Sequence, residues 1–145
     1  MPGARMQSSV NVATVTNTIT LFDQFDTIEF DTGGFHAAGV NDRLVVPAGM
    51  GGLYLIGAEM VWELHADAMQ RLAMIYVNGA QVTASSMFTS AGDARAPIHF
   101  LCAPFTLAAG DIIQLYGRQR SGVNLNMGGG NLGTKMWLLR QGPVP

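Results

Sequence analysis

The chain lacks several features on which whole classes of protein depend. Its single cysteine, Cys102, cannot form an internal disulfide or, alone, a zinc cluster. No apolar run approaches the roughly 18 residues that a membrane-spanning helix requires, so no membrane span or membrane partner is expected. The first twelve residues, MPGARMQSSVNV, contain no apolar core of a secretory signal. A disulfide-rich secreted protein and a membrane protein are therefore not expected.

Charged residues are also scarce. They make up 12% of the 145 residues, about half the usual ~25% share of a globular chain. The eight Lys and Arg residues leave a net charge of −2, which argues against a nucleic-acid partner. Hydrophobic residues reach 48% and the mean hydropathy is +0.23, values that exclude intrinsic disorder. A folded surface with so little charge is expected to be partly buried against other subunits.

Residues that catalyse reactions or bind metals form no known arrangement in this sequence. His36, His65 and His99 share no metal-ligand spacing, and HExxH, CxxC and GxSxG are absent. Residues 128–133, GGGNLG, match the GxGxxG pattern of nucleotide-binding loops. No acidic residue follows them, however, so a glycine loop between two strands is favoured. We therefore expect no enzyme activity, no catalytic residue and no cofactor.

The acidic run Asp23, Asp26, Glu29 and Asp31 has two interpretations. The carboxylates could ligate calcium, with the three aspartates as the first candidates, but their spacing is not that of a known calcium loop. A charged strand edge that resists pairing with other sheets is the favoured interpretation. No metal site is therefore expected.

Cysteine and tryptophan side chains also have a structural and a functional interpretation. Cys102 lies in an apolar stretch and is predicted to be a small core residue, not a nucleophile. Trp62 and Trp137 could stack on a sugar ring. Because both have apolar neighbours, packing in the core or between subunits is favoured.

Turn signals at regular intervals indicate an all-β domain. The 18 glycines punctuate short stretches of β-branched and aromatic residues, a pattern typical of a sandwich or barrel. Asn78 and Gly79 lie between two apolar runs and predict a tight hairpin. Residues 54–64 alternate between apolar and mixed positions and predict a strand, although a helix over residues 60–75 is an alternative. Further strands are predicted at residues 27–30, 43–46, 71–77, 98–107, 112–119 and 135–140.

The beginning of the chain has a different composition. Residues 1–17 contain one charge, Arg5, and almost no bulky apolar side chain. They are predicted to form an extended N-terminal arm before a single domain of residues 18–145, whose first edge strand lies near residues 18–22. The backbone of such an arm could add to the sheet edge of a neighbouring molecule.

Five stretches occur in an order that is characteristic of one family. They are FDTGGFH at 30–36, NDRLVVP at 41–47 followed by GLYLI at 52–56, IYVNG at 75–79, LAAGDIIQL at 107–115 and QRSG at 119–122. Together they resemble the complement-type globular head, a tumour necrosis factor-like jelly roll, in the version common among structural proteins of tailed bacteriophages. The resemblance covers nearly the whole chain, about residues 16–140.

The resemblance implies a fold and an assembly. We expect an antiparallel jelly-roll β-sandwich of about 8–10 strands, with the extended arm, that associates as a homotrimer. Some members of this family bind calcium through polar loop tips. Ala37, Ala38 and Gly39 replace the acidic or asparagine residues at one such tip, so calcium binding is not expected here.

The function implied is that of a non-enzymatic virion structural protein. We expect a trimeric capsid decoration, or cement, protein on the outside of a phage head, bound to the major capsid protein and made in the host cytoplasm. The alternative is the tip of a tail or head fibre that recognises a bacterial surface glycan. The sequence contains no shaft repeat or coiled coil, which favours decoration. It has no collagen repeat and no catalytic motif, so a secreted recognition head and an enzyme are less favoured.

Overall fold

The computed structural model describes residues 1–63, 65, 69–88, 98–128 and 133–143, and these ranges contain strands and no helix. None of the described residues therefore belongs to a helix that could cross a membrane. The strands are Gly3–Gln7 (β1), Val12–Thr14 (β2), Thr20–Leu21 (β3), Thr27–Asp31 (β4), Leu44–Val45 (β5), Gly52–Trp62 (β6), Gln70–Val77 (β7), Ala80–Phe88 (β8), Ile98–Leu107 (β9), Ile112–Gln119 (β10), Leu125–Gly128 (β11) and Lys135–Gly142 (β12).

The strands form two antiparallel sheets that pack face to face. The seven-stranded sheet has the order β2-β11-β6-β12-β1-β4, and β9 pairs along the other edge of β6. The five-stranded sheet has the order β3-β10-β7-β8, with β5 also paired to β10. Strands that are distant in the sequence are neighbours in both sheets, as in a jelly roll.

The core between the sheets follows the alternation of β6. Tyr54, Ile56, Ala58, Met60 and Trp62 are all fully buried, because alternate side chains of a strand point to the same face. The predicted strand is confirmed at this segment, and the helical alternative is wrong because β7 is also a strand.

A glycine in β10 makes room for the largest core side chain. A Cβ atom at Gly117 would lie 2.2 Å from the Met127 sulfur and 3.0 Å from Cη2 of Trp62. The hydrogen of glycine lets the indole of Trp62 lie against the backbone of the opposite sheet. This close approach explains why a glycine interrupts an otherwise regular strand.

Most predicted strands are confirmed, and the hairpin at residues 78–79 has the positive φ angles that a tight turn needs, 51° and 79°. The structure also contains β1, β2 and β11, which the sequence pattern does not predict. The described residues therefore form twelve strands, more than the 8–10 expected.

The N-terminal segment differs from its prediction as a separate arm. β1 lies inside the seven-stranded sheet, between β12 and β4, and β2 pairs with β11. Ala4 and Met6 are fully buried. Small residues are needed here, since a Cβ at Gly3 would lie 2.6 Å from the carbonyl oxygen of Leu138. Deleting residues 1–17 would therefore remove an internal strand of the sandwich, not a free tail.

Candidate functional site

The outward face of the seven-stranded sheet carries an unusual concentration of apolar side chains. Strand register places Leu55 between Leu139 and Pro104, and Gly57 between Trp137 and Cys102. In the next outward row Glu59 lies between Lys135 and Phe100. We call this surface the docking face; its members are Arg5, Glu29, Phe30, Leu53, Leu55, Gly57, Glu59, Phe100, Cys102, Pro104, Lys135, Trp137 and Leu139.

Several large apolar side chains of the docking face are in contact with solvent. Phe100 is 67% exposed, Leu53 38% and Phe30 37%, and Cys102 is exposed as well. Trp137 and Leu139 are half-buried between them. Single exposed apolar residues are ordinary, whereas a contiguous group of this kind is typical of interaction surfaces in general.

A cavity of about 320 Å³ opens on the docking face. Aromatic side chains form half of its wall. The cavity is lined by Arg5, Phe30, Glu59, Phe100, Trp137 and Leu139.

The charges of the docking face are paired within the chain. Arg5 Nε lies 2.9 Å from Glu29 Oε2, and Lys135 Nζ lies 3.7 Å from Glu59 Oε2. The β1–β4 register shifts beside Arg5, so β4 supplies an extra residue there, consistent with a β-bulge. Because each charge already has an opposite partner, an apolar surface can cover this face without burying an unpaired ion.

The cysteine and tryptophan predictions have different outcomes. Trp62 is fully buried, so its assignment to the core is confirmed. Trp137 is half-buried on the docking face and is not part of the core. The prediction that Cys102 is a core residue is wrong, because it points outward opposite Gly57. Its apolar neighbours in the sequence belong to a surface that is itself apolar.

The histidines and acidic residues do not come together in a metal site. Among the described residues, no group of three His, Cys, Asp or Glu side chains could hold a metal ion. The ring of His36 hydrogen-bonds the Val40 carbonyl at 2.8 Å. The side chain of His99 and residues 129–132 of the GxGxxG match lie outside the described residues. Asp26 accepts hydrogen bonds from the backbone N–H and hydroxyl of Ser9, and the hydroxyl bond is the main cause that lowers its pKa.

Polar residues of two of the family motifs, FDTGGFH and QRSG, make hydrogen bonds within their own loops. The Asp31 carboxylate accepts hydrogen bonds from the backbone N–H groups of residues 34, 35 and 36 at 2.9–3.0 Å. The Gln119 amide oxygen accepts from the N–H and hydroxyl of Ser121, and its Nε2 donates to the carbonyls of Thr14 and Val123. These contacts hold loops in place and leave the motif residues with a structural role.

Hydrogen bonds join two of the family motifs, IYVNG and LAAGDIIQL, at one end of the five-stranded sheet. Asn78 Nδ2 donates to Asp111 Oδ1 at 2.8 Å, and Asn78 Oδ1 accepts from the Ile112 N–H at 2.9 Å. The other Asp111 oxygen accepts from the Ala108 N–H at 2.7 Å. The hairpin of one motif is thus joined to the turn of the other.

Replacing Asp111 with alanine is expected to lower the free energy of unfolding by about 1–2 kcal/mol, because the two hydrogen bonds that its carboxylate accepts are lost. Urea denaturation at one protein concentration measures the change. The matched control is Asp23→Ala, since the Asp23 carboxylate accepts a long hydrogen bond, 3.3 Å, from the side chain of the adjacent Gln24. Equal denaturation midpoints for the two variants would contradict the structural role of this contact.

Comparison with known proteins gives structural neighbours only. No protein-family model matches the chain, and no curated protein matches it. The globular domain of the zebrafish complement 1qA protein matches with a TM-score of 0.64 and 10% identity over 99% of both chains. Eiger TNF from S. frugiperda matches with a TM-score of 0.64 and 13% identity over 100% of this chain and 96% of that one.

At these identities the likeness shows the fold and nothing beyond it. It extends over whole chains, so it includes β1 and β2 as well as the central strands. The predicted antiparallel jelly-roll sandwich is confirmed, and the chain has the fold of complement-type globular heads and tumour necrosis factor-like domains.

Proposed function

We propose that the chain is a non-enzymatic structural protein that assembles as a homotrimer through the docking face. The observation that carries this proposal is the contiguous apolar group around Phe100, Trp137 and Leu53 on one face of the seven-stranded sheet. Covering it removes apolar area from water, which is favourable by about 25 cal/mol per Å². The family resemblance of the sequence supports threefold symmetry.

Two further copies of the chain are the occupants that suit this surface best. A closed ring uses heterologous contacts, in which different parts of one face meet on neighbouring subunits. The docking face offers both a protruding side chain, Phe100, and a cavity beside Trp137 and Leu139. Its charges are paired internally, so copies can approach without like-charge contacts.

Light scattering tests the assembly, and the single cysteine provides an independent readout. At micromolar concentration the mass is expected to be three times 15.4 kDa. The thiol of Cys102, exposed in the single chain, is expected to react with Ellman's reagent much more slowly than after denaturation in urea. A mass near 15.4 kDa together with a fast-reacting thiol would overturn the proposed trimer.

For the trimer we propose the role of a decoration protein on the outside of a phage capsid, with the major capsid protein as its partner. The support is the ordered series of five motifs that resemble tailed-phage structural proteins. Three copies on one particle site would bind together, so modest contacts of each subunit add up through effective concentration. The alternative role is a fibre tip that binds a bacterial surface glycan.

Two observations separate decoration from the fibre role. The genes beside this one are expected to encode a major capsid protein, whereas a tail-assembly cluster would favour the fibre. The purified protein is expected to sediment with empty capsids of the virus that encodes it and not with isolated tails. Sedimentation with tails alone would overturn the decoration role and leave the trimer unaffected.

A further inference from the structure

A pair of tyrosines lies on the outer face of the five-stranded sheet, on the side of the sandwich opposite the docking face. Tyr76 of β7 and Tyr116 of β10 have ring centroids 4.3 Å apart, with an interplanar angle of 41°. Gln114 lies directly opposite Tyr76, and Met74 directly opposite Tyr116. All four side chains belong to the same face, because they alternate with core residues.

Met74 is a buried side chain beside the two rings. Its neighbours Ala73 and Ile75 point into the core, so Met74 points outward, yet it is only 3% exposed. Tyr116 lies directly opposite Met74, and the two tyrosines are the largest described side chains beside it on this face. Both rings are half-buried, and their solvent-accessible parts form one small aromatic surface.

Polar groups border this aromatic surface on one side. Gln114 Nε2 donates to Asp42 Oδ2 at 3.1 Å, and Asp42 accepts two hydrogen bonds from Arg43, each 2.8 Å. The hydrogen bond to Asp42, together with the charge of that carboxylate, raises the pKa of Arg43. The Asp42 and Arg43 charges cancel, so the border offers fixed donors and acceptors without net charge.

We propose that this surface, the tyrosine platform of Tyr76, Tyr116, Gln114, Asp42 and Arg43, binds a neutral pyranose glycan. The apolar C–H face of a sugar ring can stack on tyrosine, and planar amide, carboxylate and guanidinium groups suit its hydroxyls. Nucleic acid would also stack on aromatic rings, but it requires a basic groove that a chain of net charge −2 does not supply.

The tyrosine platform is a different surface from the two tryptophans that the sequence suggested for stacking on a sugar ring. Trp62 is fully buried, and Trp137 belongs to the docking face of the other sheet. Tyr76 and Tyr116 are half-buried side chains of the other sheet, so covering the docking face leaves their exposure unchanged. Glycan binding is thus independent of the proposed trimer, and each can fail without the other.

Binding is tested with the intact protein and linear oligosaccharides of glucose, galactose and N-acetylglucosamine as probes. Saturation-transfer NMR is expected to show contact with at least one probe at millimolar concentration. Tetranitromethane nitration provides a map, because Tyr54, the third of the three tyrosines, is fully buried and serves as an internal control. The bound sugar is expected to protect Tyr76 and Tyr116 at least threefold.

Substitutions locate the site. Tyr116→Ala is expected to weaken binding at least tenfold and Gln114→Ala severalfold, whereas Tyr116→Phe keeps the stacking ring and most of the affinity. Val10→Ala, at an exposed position that belongs to neither surface, is the control and should bind as the unmodified chain does. The proposal is overturned if no probe binds, or if Tyr116→Ala and Gln114→Ala both bind normally.

Discussion

Replacing Trp62 with alanine is expected to lower the free energy of unfolding by about 3–5 kcal/mol, among the largest effects of any single substitution in this chain. The indole is fully buried between the two sheets, against Gly117 of β10. Its Nε1 has no hydrogen-bond partner, so the loss comes from removed apolar contacts and from the cavity left behind. Thermal and urea denaturation at one fixed protein concentration measure it.

Trp137→Ala is the matched control, because it removes the same side chain from the outward face of the neighbouring strand. Trp137 is only half-buried and lines the cavity of the docking face. The isolated fold should therefore lose about 1 kcal/mol or less, while the proposed association between subunits should weaken. Similar losses for the two variants in dilute, monomeric protein would show that Trp137 also belongs to the core.

The core face of β6 could be predicted, because that strand carries its own alternation of apolar residues. The hairpin at Asn78 and Gly79 could be predicted as well, since these two residues readily adopt positive φ angles. β1 could not be found in this way. Its small residues look unable to form a core, yet they fit between two strands that supply the large side chains.

The candidate site could not be predicted, since it depends on register between strands that are far apart in the sequence. Gly57, Cys102 and Trp137 belong to three strands and become neighbours only when β6 pairs with β9 and β12. The apolar stretch around Cys102 looks like core in the sequence. No local pattern distinguishes an apolar face that meets its own second sheet from one that meets another subunit.

Replacing Phe100 with aspartate is expected to convert the proposed trimer into monomers at micromolar concentration. The side chain is 67% exposed in the single chain, so the substitution should change the stability of the fold itself very little. In the trimer it would place a carboxylate in an apolar contact beside Glu59, without a positive partner of its own. An unpaired ion buried at an interface costs several kcal/mol, and each of the three subunits carries one.

Ile19→Asp is the matched control, because Ile19 is 48% exposed and precedes β3 of the other sheet. This variant should keep the trimer mass in light scattering and the slow reaction of Cys102 with Ellman's reagent. Phe100→Asp should show a mass near 15.4 kDa and a fast-reacting thiol, while its melting curve stays cooperative. If Phe100→Asp keeps both the trimer mass and a protected thiol, the subunit contact lies elsewhere on the molecule. Under the proposed decoration role, loss of the trimer would also prevent the three subunits from binding one particle site together, so binding to capsids should fall by far more than the loss of one side-chain contact explains.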